Sequence, residues 1–291
     1  MKFTPEWFIE NLKSVIHYNE LTWKSVLLFL VVPFACLVIE VFVVGWRNSS
    51  AKKLMEFSKT AQTDVACFVI HVFGLYQLVG IVFTLGVFYY AYGFIQKNIA
   101  LNWLDVVPSN TAKFFFMLLV GDFKNYIRHY LLHYFGWAWQ LHSFHHSAQQ
   151  FTMLTYLRSH AAETVLTTFL DLFPFIIFGA NFETIAAVYL TREAHQYLIH
   201  SQLSSSWGFV GKYILVSPLA HRIHHSVDPL HYGKNLGNTF IFWDRLFGTY
   251  YMPATNASIE IGLPNNPYNK SNFLYDYFLC YFNSLKALFR N

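Results

Sequence analysis

Long apolar runs separated by short polar stretches set the pattern of this chain. In residues 1–23, Thr4-Pro5-Glu6 supplies an N-cap, a proline at the first helical position and an early acid. Phe8, Leu12, Val15 and Ile16 then follow helical spacing, which predicts a short interfacial helix. Ser25 to Trp46 is a first spanning segment of about the 20 residues a bilayer requires. Pro33 is placed to bend it, and Glu40 must face protein there. Val65 to Phe94 is a second apolar run, suited to one tilted span and short for two. Ala112 to Leu132 is a third. Thr164 to Phe178 and Phe182 to Ile199 predict a hairpin around Gly179-Ala180-Asn181, either spanning or re-entrant. Residues 134–160 and Ser201 to Pro253 are too polar to span, and Asn272 to Arg290 reads as an amphipathic interfacial helix.

Composition sharpens this picture. The 291 residues are 55% hydrophobic, 20% aromatic and only 12% charged, which favours an integral membrane protein over a soluble one. The expected fold is all-α: a membrane helical bundle of about four or five spans with a helical, histidine-rich cap. Three regions are expected: residues 1–111 with the first spans, 112–255 as the catalytic region, and 256–291 as an interfacial tail. The start of the chain lacks the layout of a signal peptide. A net charge of +4, mostly scattered, does not indicate a nucleic-acid partner. The basic loop Arg47 to Lys59 is the exception, and by the positive-inside tendency it is cytoplasmic. Threading the spans from that loop brings the ends of the third span and of the hairpin to the cytoplasmic face, with the N-terminus outside. That sidedness depends on residues 65–94 crossing once. Cys36, Cys67 and Cys280 lie far apart and form no zinc or iron–sulfur pattern.

Candidate chemistry is concentrated in histidine. Eight of the fourteen histidines fall in three boxes: His129-x-x-x-His133, His142-x-x-His145-His146 and His221-x-x-His224-His225. Positions i, i+3 and i+4 share one helix face, so each box presents its imidazoles as a group. Neutral imidazole suits iron, zinc, copper and nickel. Eight imidazoles exceed what one metal can use, so two metals are expected. Asp122, two helical turns before His129, shares its face and is a candidate to accept an imidazole N–H. Asp244 is a candidate for the same role at the third box, with an ion pair to Arg245 or Arg222 as the alternative. There is no HExxH and no ExxH, which argues against a zincin protease and a carboxylate di-iron bundle.

The stretches Asp122–Ser147 (DFKNYIRHYLLHYFGWAWQLHSFHHS) and His221–Tyr250 (HRIHHSVDPLHYGKNLGNTFIFWDRLFGTY) resemble the fatty acid hydroxylase/sterol desaturase superfamily of membrane di-iron oxygenases. HRxHHS followed by NxGN and WDRLFGT carries most of the resemblance. The first box departs from the family's usual HR, reading His129-Tyr130 with Arg128 before it. The resemblance implies a ninth ligand, His200, and Gln196 stands where some relatives have histidine. It further implies two irons, for which zinc can substitute in a structure, O2 as co-substrate, and hydroxylation or desaturation of a lipid. Nine donors over two metals leave room for water or oxygen at each. No cytochrome b5, iron–sulfur or dinucleotide motif is present, so a separate ferredoxin, or cytochrome b5 with its reductase, is the implied electron donor. The competing reading is a multi-histidine membrane metal-binding or transport protein. His160, His195 and His231 are expected in structural or loop roles, and His17 and His71 lie apart from the boxes.

Overall fold

The computed structural model describes residues 23–73, 75, 91, 94, 95, 97–99, 101–253 and 259–289. Its helices are α1 (Trp23–Val44), α2 (Ser50–Met55), α3 (Lys59–Val72), α4 (Asn110–Tyr134), α5 (Gly136–His146), α6 (Ala161–Phe178), α7 (Phe182–Ile199), α8 (Gly208–Tyr213), α9 (Pro218–His224), α10 (Phe242–Phe247) and α11 (Phe273–Leu288). Among the described residues the only β pairing is two isolated bridges, Leu215–Phe240 and Ser226–Ile261. The all-α expectation holds. No helix among the described residues is long and apolar enough to cross a membrane. The expected interfacial helix of residues 1–23 falls outside the described residues apart from Trp23, as does most of the second apolar run.

The 25-residue α4 is the element on which the site is built. The Ser109 side chain accepts the Ala112 amide at 3.1 Å and satisfies one free N–H of its first turn. Helices α5, α6 and α7 pack against it. The α6–α7 hairpin forms where expected. Gly179 adopts φ +73, a conformation that disfavours any side chain, and Asn181 caps α7 by accepting the Thr184 amide at 2.9 Å. Met117, Leu118, Phe175 and Val188 are buried where α4, α6 and α7 meet.

Helix α1 lies along α7, burying Cys36 with Tyr197, Met153 and Leu157. Glu40, the charge inside its apolar run, does face protein. Its carboxylate accepts the Ser50 amide at 2.8 Å, the Ser50 hydroxyl at 2.7 Å and the Gln202 amide at 2.6 Å. The C-terminal helix α11 packs on α5, burying Cys280 beside Cys67, Phe144 and Tyr268. Its other face exposes Leu274, Phe278 and Phe282.

A buried ion pair ties α3 to the segment after α5. Arg158 and Asp64 are both wholly buried, with Nε donating to Oδ1 at 2.8 Å. The guanidinium also donates to Ser147 Oγ at 2.9 Å and the Thr60 carbonyl at 2.7 Å. Asp64 Oδ2 accepts the hydroxyls of Thr152 and Thr155, each at 2.8 Å. A buried pair of this kind is sustained by these additional hydrogen bonds.

Candidate metal centre

The three boxes and His200 converge between the end of α4, the length of α5, the end of α7 and α9. They form two adjoining groups. His129, His133, His142, His146 and His224 make one; His145, His200, His221 and His225 make the other. Within each group, one ring nitrogen per residue lies within 4.8 Å of all the others. The groups touch where His146 stacks on His225 with centroids 4.1 Å apart. All nine histidines singled out from the sequence are here, and His160, His195 and His231 belong to neither group. His160 caps α6, its Nδ1 accepting the Ala162 amide at 3.0 Å. His195 Nε2 donates to the Val216 carbonyl at 3.0 Å.

Five of the nine rings are oriented through Nδ1. His129 bonds the Leu236 carbonyl at 2.8 Å, His145 that of Arg158 at 3.2 Å, His200 that of Gln196 at 2.8 Å and His224 that of Lys234 at 2.9 Å. His142 bonds Glu163 Oε1 at 3.0 Å. A carbonyl or carboxylate only accepts, so Nδ1 carries the hydrogen and Nε2 is left with its lone pair.

Those lone pairs face one another. Nε2 of His129 lies 3.1 Å from Nε2 of His142, and Nε2 of His145 lies 3.3 Å from Nε2 of His200. Nε2 of His200 is also 2.8 Å from Nε2 of His221, a ring whose Nδ1 has no hydrogen-bond partner to fix its tautomer. Facing lone pairs repel unless a cation lies between them. Donors about 2.1 Å from a metal and at right angles to one another stand about 3.0 Å apart, which matches these separations. Nε2 of His133, His146, His224 and His225 is buried with no hydrogen-bond partner. Each such orphan costs about 1–3 kcal/mol unless something binds it. The residues therefore fit a pair of metal ions.

Electrostatics favour the same conclusion. Burial, then the neighbouring imidazoles, hold His133, His145, His146, His221 and His225 well below the ordinary histidine value. Burial pulls His200 and His224 down to about 3, against the opposing effect of their carbonyl partners. These seven rings are neutral at pH 7 and ready to ligate.

The loop Lys234-Asn235-Leu236-Gly237 explains why the NLGN and WDRLFGT segments accompany the third box. It supplies the carbonyls that receive His224 and His129. Asp244 braces it, accepting the Leu236 amide at 2.6 Å, the Gly237 amide at 2.9 Å and Thr249 Oγ1 at 2.6 Å. A Cβ on Gly237 would fall 2.7 Å from both Asp244 Oδ2 and the Phe240 carbonyl, so only glycine fits. Asn235 holds the other side, donating to the Ala220 and Tyr251 carbonyls at 3.1 and 2.8 Å.

The two aspartates singled out from the sequence accept from backbone amides and from the Trp243 and Thr249 side chains, not from imidazole. Asp122 accepts the Thr239 amide at 2.9 Å, the Phe240 amide at 3.0 Å and the Trp243 indole at 3.1 Å. Seven helical residues separate it from His129, a rise of about 10 Å, too far for a direct bond. Asp244 reaches His129 only through the Leu236 peptide, and neither Arg245 nor Arg222 pairs with it. The carboxylate that does meet an imidazole is Glu163, at the start of α6. Burial raises its pKa, but His142, Arg128 and His160 together more than offset this and hold it below the ordinary value. Glu163→Gln keeps the shape and removes the charge. It is expected to weaken metal binding by about 10–100-fold, read by chelator competition. Unchanged affinity would reduce Glu163 to a packing role.

The family model "Fatty acid hydroxylase" matches residues 114–249. Alkylglycerol monooxygenase of Caenorhabditis elegans is 28% identical over 176 residues, 60% of this chain and 34% of that protein. Ornithine lipid hydroxylase OlsE of Rhizobium tropici is 27% identical over 146 residues, 50% of this chain and 44% of that protein. Human alkylglycerol monooxygenase is 30% identical over 143 residues, 49% of this chain and 31% of that protein. The match thus spans between about a third and under half of the length of these relatives. No solved structure matches the chain. The matched stretch contains all three histidine boxes and His200, and residues 114–249 form a fatty acid hydroxylase domain.

Proposed function

We propose that this protein is a membrane-bound lipid hydroxylase whose nine histidines hold two irons. The observation that carries this reading is a cavity of about 350 Å³ whose wall includes His129, His142, His145, His200 and His221. The same wall continues along the α6–α7 hairpin to Phe175 and Ile185. Ile185 is fifteen helical residues before His200, so the space runs on the order of 20 Å from the histidines, the length of an extended lipid chain.

Two irons in an all-imidazole shell supply the reduction of O2 and the cleavage of an unactivated C–H bond. The balance is R–H + O2 + two electrons + two protons giving R–OH + H2O. The chain's own part is positional. Backbone carbonyls and Glu163 fix the rings. Leu132, Leu157, Phe175 and Ile185 give the cavity an apolar wall that admits an alkyl chain and disfavours water. Relatives named for lipid hydroxylation favour hydroxylation over desaturation. The electrons come from a separate ferredoxin, or from cytochrome b5 with its reductase.

Membrane attachment is supported by apolar side chains left bare on the surface. Phe42 of α1 is 86% exposed and Phe182, at the start of α7, is 77% exposed. In this reading the bundle is embedded, and the histidine centre lies at the cytoplasmic face. Untargeted lipid mass spectrometry of the source cells, with the gene intact, deleted and restored, tests the reaction. Deletion should remove a lipid one oxygen heavier than an accumulating precursor. Loss of a species two hydrogens lighter would make the enzyme a desaturase. An unchanged lipid profile would remove the lipid reading.

A further inference from the structure

Two helices line the cavity with continuous stripes of side chains. On α6, Glu163, Thr167, Asp171 and Phe175 recur at every fourth position, a spacing that keeps them on one face. On α7, Ile185, Tyr189, Glu193, Gln196 and His200 form the matching stripe, running the other way. The hairpin therefore sets the long axis of the cavity. Glu163 and His200 mark its histidine end, and Phe175 and Ile185 mark its hairpin end. Twelve helical residues separate Glu163 from Phe175, a rise of about 18 Å.

The hairpin end is closed. Phe175 is 6% exposed and packs with the buried Leu104, Met117, Leu118 and Val188. Ile185 rests on the same cluster from α7. The Phe175 ring also lies against bare helix, since a Cβ added to Gly121 of α4 would be 3.7 Å from its Cζ. The segment ahead of α4 covers the hairpin itself. Leu101 donates its amide to the Ile177 carbonyl at 2.7 Å, and a Cβ on Gly179 would fall 2.8 Å from Asn102 Oδ1.

The wall changes character along this axis. Its charged side chains are matched: Lys124 and Arg128 meet Asp171, Arg192 stands near the same carboxylate, and Glu163 meets His142. At the closed end, neither Phe175 nor Ile185 nor any side chain of the cluster behind them carries an N–H or O–H group. A hydroxyl or amide seated there would be left unpaired, which is unfavourable, whereas a methyl group has nothing to lose.

We propose that Phe175 and Ile185 form a floor that seats the methyl end of the lipid substrate and so fixes which carbon meets the histidine centre. They are positioning residues: the chain enters tail first, and the carbon presented is counted from its methyl end. The oxidation of that carbon rests on the lipid-hydroxylase reading; the seat itself does not depend on turnover.

The test uses the full chain in uncharged detergent with two photoreactive hexadecanols, one carrying a diazirine beside its methyl end and the other beside its hydroxyl. After illumination, peptide mass spectrometry locates the adducts. The methyl-end probe should label residues 171–189, and the hydroxyl-end probe the histidine boxes. Phe175→Ala opens the way to Met117 and Leu118, so methyl-end adducts should extend onto α4, which the wild-type protein shields there. In turnover the same variant should let the chain slide deeper and move the oxidised carbon further from the methyl end, a shift that lost stability alone would not produce. Methyl-end adducts on the histidine boxes, the same adducts from both probes, or no adducts at all would overturn the proposal, as would an unchanged pattern in Phe175→Ala. The wild-type labelling decides even if Phe175→Ala fails to fold. Adducts at the floor without oxidation of any lipid would sink the hydroxylase reading and leave the seat standing. Lipid oxidation with methyl-end adducts away from the floor would do the reverse.

Discussion

Replacing His145 with alanine is expected to abolish lipid oxidation while the protein stays folded in membranes. His145 belongs to the smaller histidine group, where four rings are all that is available. Its Nε2 faces that of His200 at 3.3 Å, and its Nδ1 is fixed on the Arg158 carbonyl. Removing it leaves three donors. Losing an outer partner of a ligand already costs about 10–100-fold in affinity or activity, and losing the ligand itself should exceed that. The fold should tolerate the change, because it also relieves one pair of opposed lone pairs. The readouts are product formation, metal content and membrane yield of the variant beside wild type. Retained activity at normal yield would remove His145 from the ligand set.

Asp64→Ala should be the most destabilising single substitution made at a distance from the histidines. It strands the Arg158 guanidinium, which is wholly buried, and takes the acceptor from Thr152 and Thr155. Breaking a buried pair by deleting one partner costs about 3–5 kcal/mol. For a domain of this size that corresponds to a fall of about 6–20 °C in the thermal midpoint. The damage should reach the metal centre, because the Arg158 carbonyl is what orients His145. Asp64→Asn, which keeps an acceptor in place, should lose less. A midpoint unchanged in Asp64→Ala would mean that the pair contributes nothing to stability.

The parts of this protein legible in its sequence are those written in local spacing. Histidines at i, i+3 and i+4 declare a shared face whatever the fold around them, so the boxes were readable. His200 was readable only by resemblance, since nothing local joins it to a box twenty-one residues away. The hairpin announced itself through Gly179 and Asn181. What the sequence hid was every partner brought in by packing. Glu163 meets His142 because α6 starts beside α5, and no periodicity links two residues on separate helices. Asp64 and Arg158 are ninety-four residues apart. Asp122 shows how a correct face can mislead: seven residues restore the helix angle but add about 10 Å of rise. The C-terminal helix was legible as amphipathic, but its packing on α5 was not.

Two metals held by five and four histidines are the core of the proposed function, and counting them tests it most directly. Protein purified from iron-supplemented cells should carry two irons per chain that survive dialysis against a weak chelator. His133→Ala and His221→Ala, one from each group, should each reduce that number toward one. A wild-type content of one or less, or zinc that exchanges freely in dialysis, would contradict the two-metal centre and favour a metal-handling protein instead.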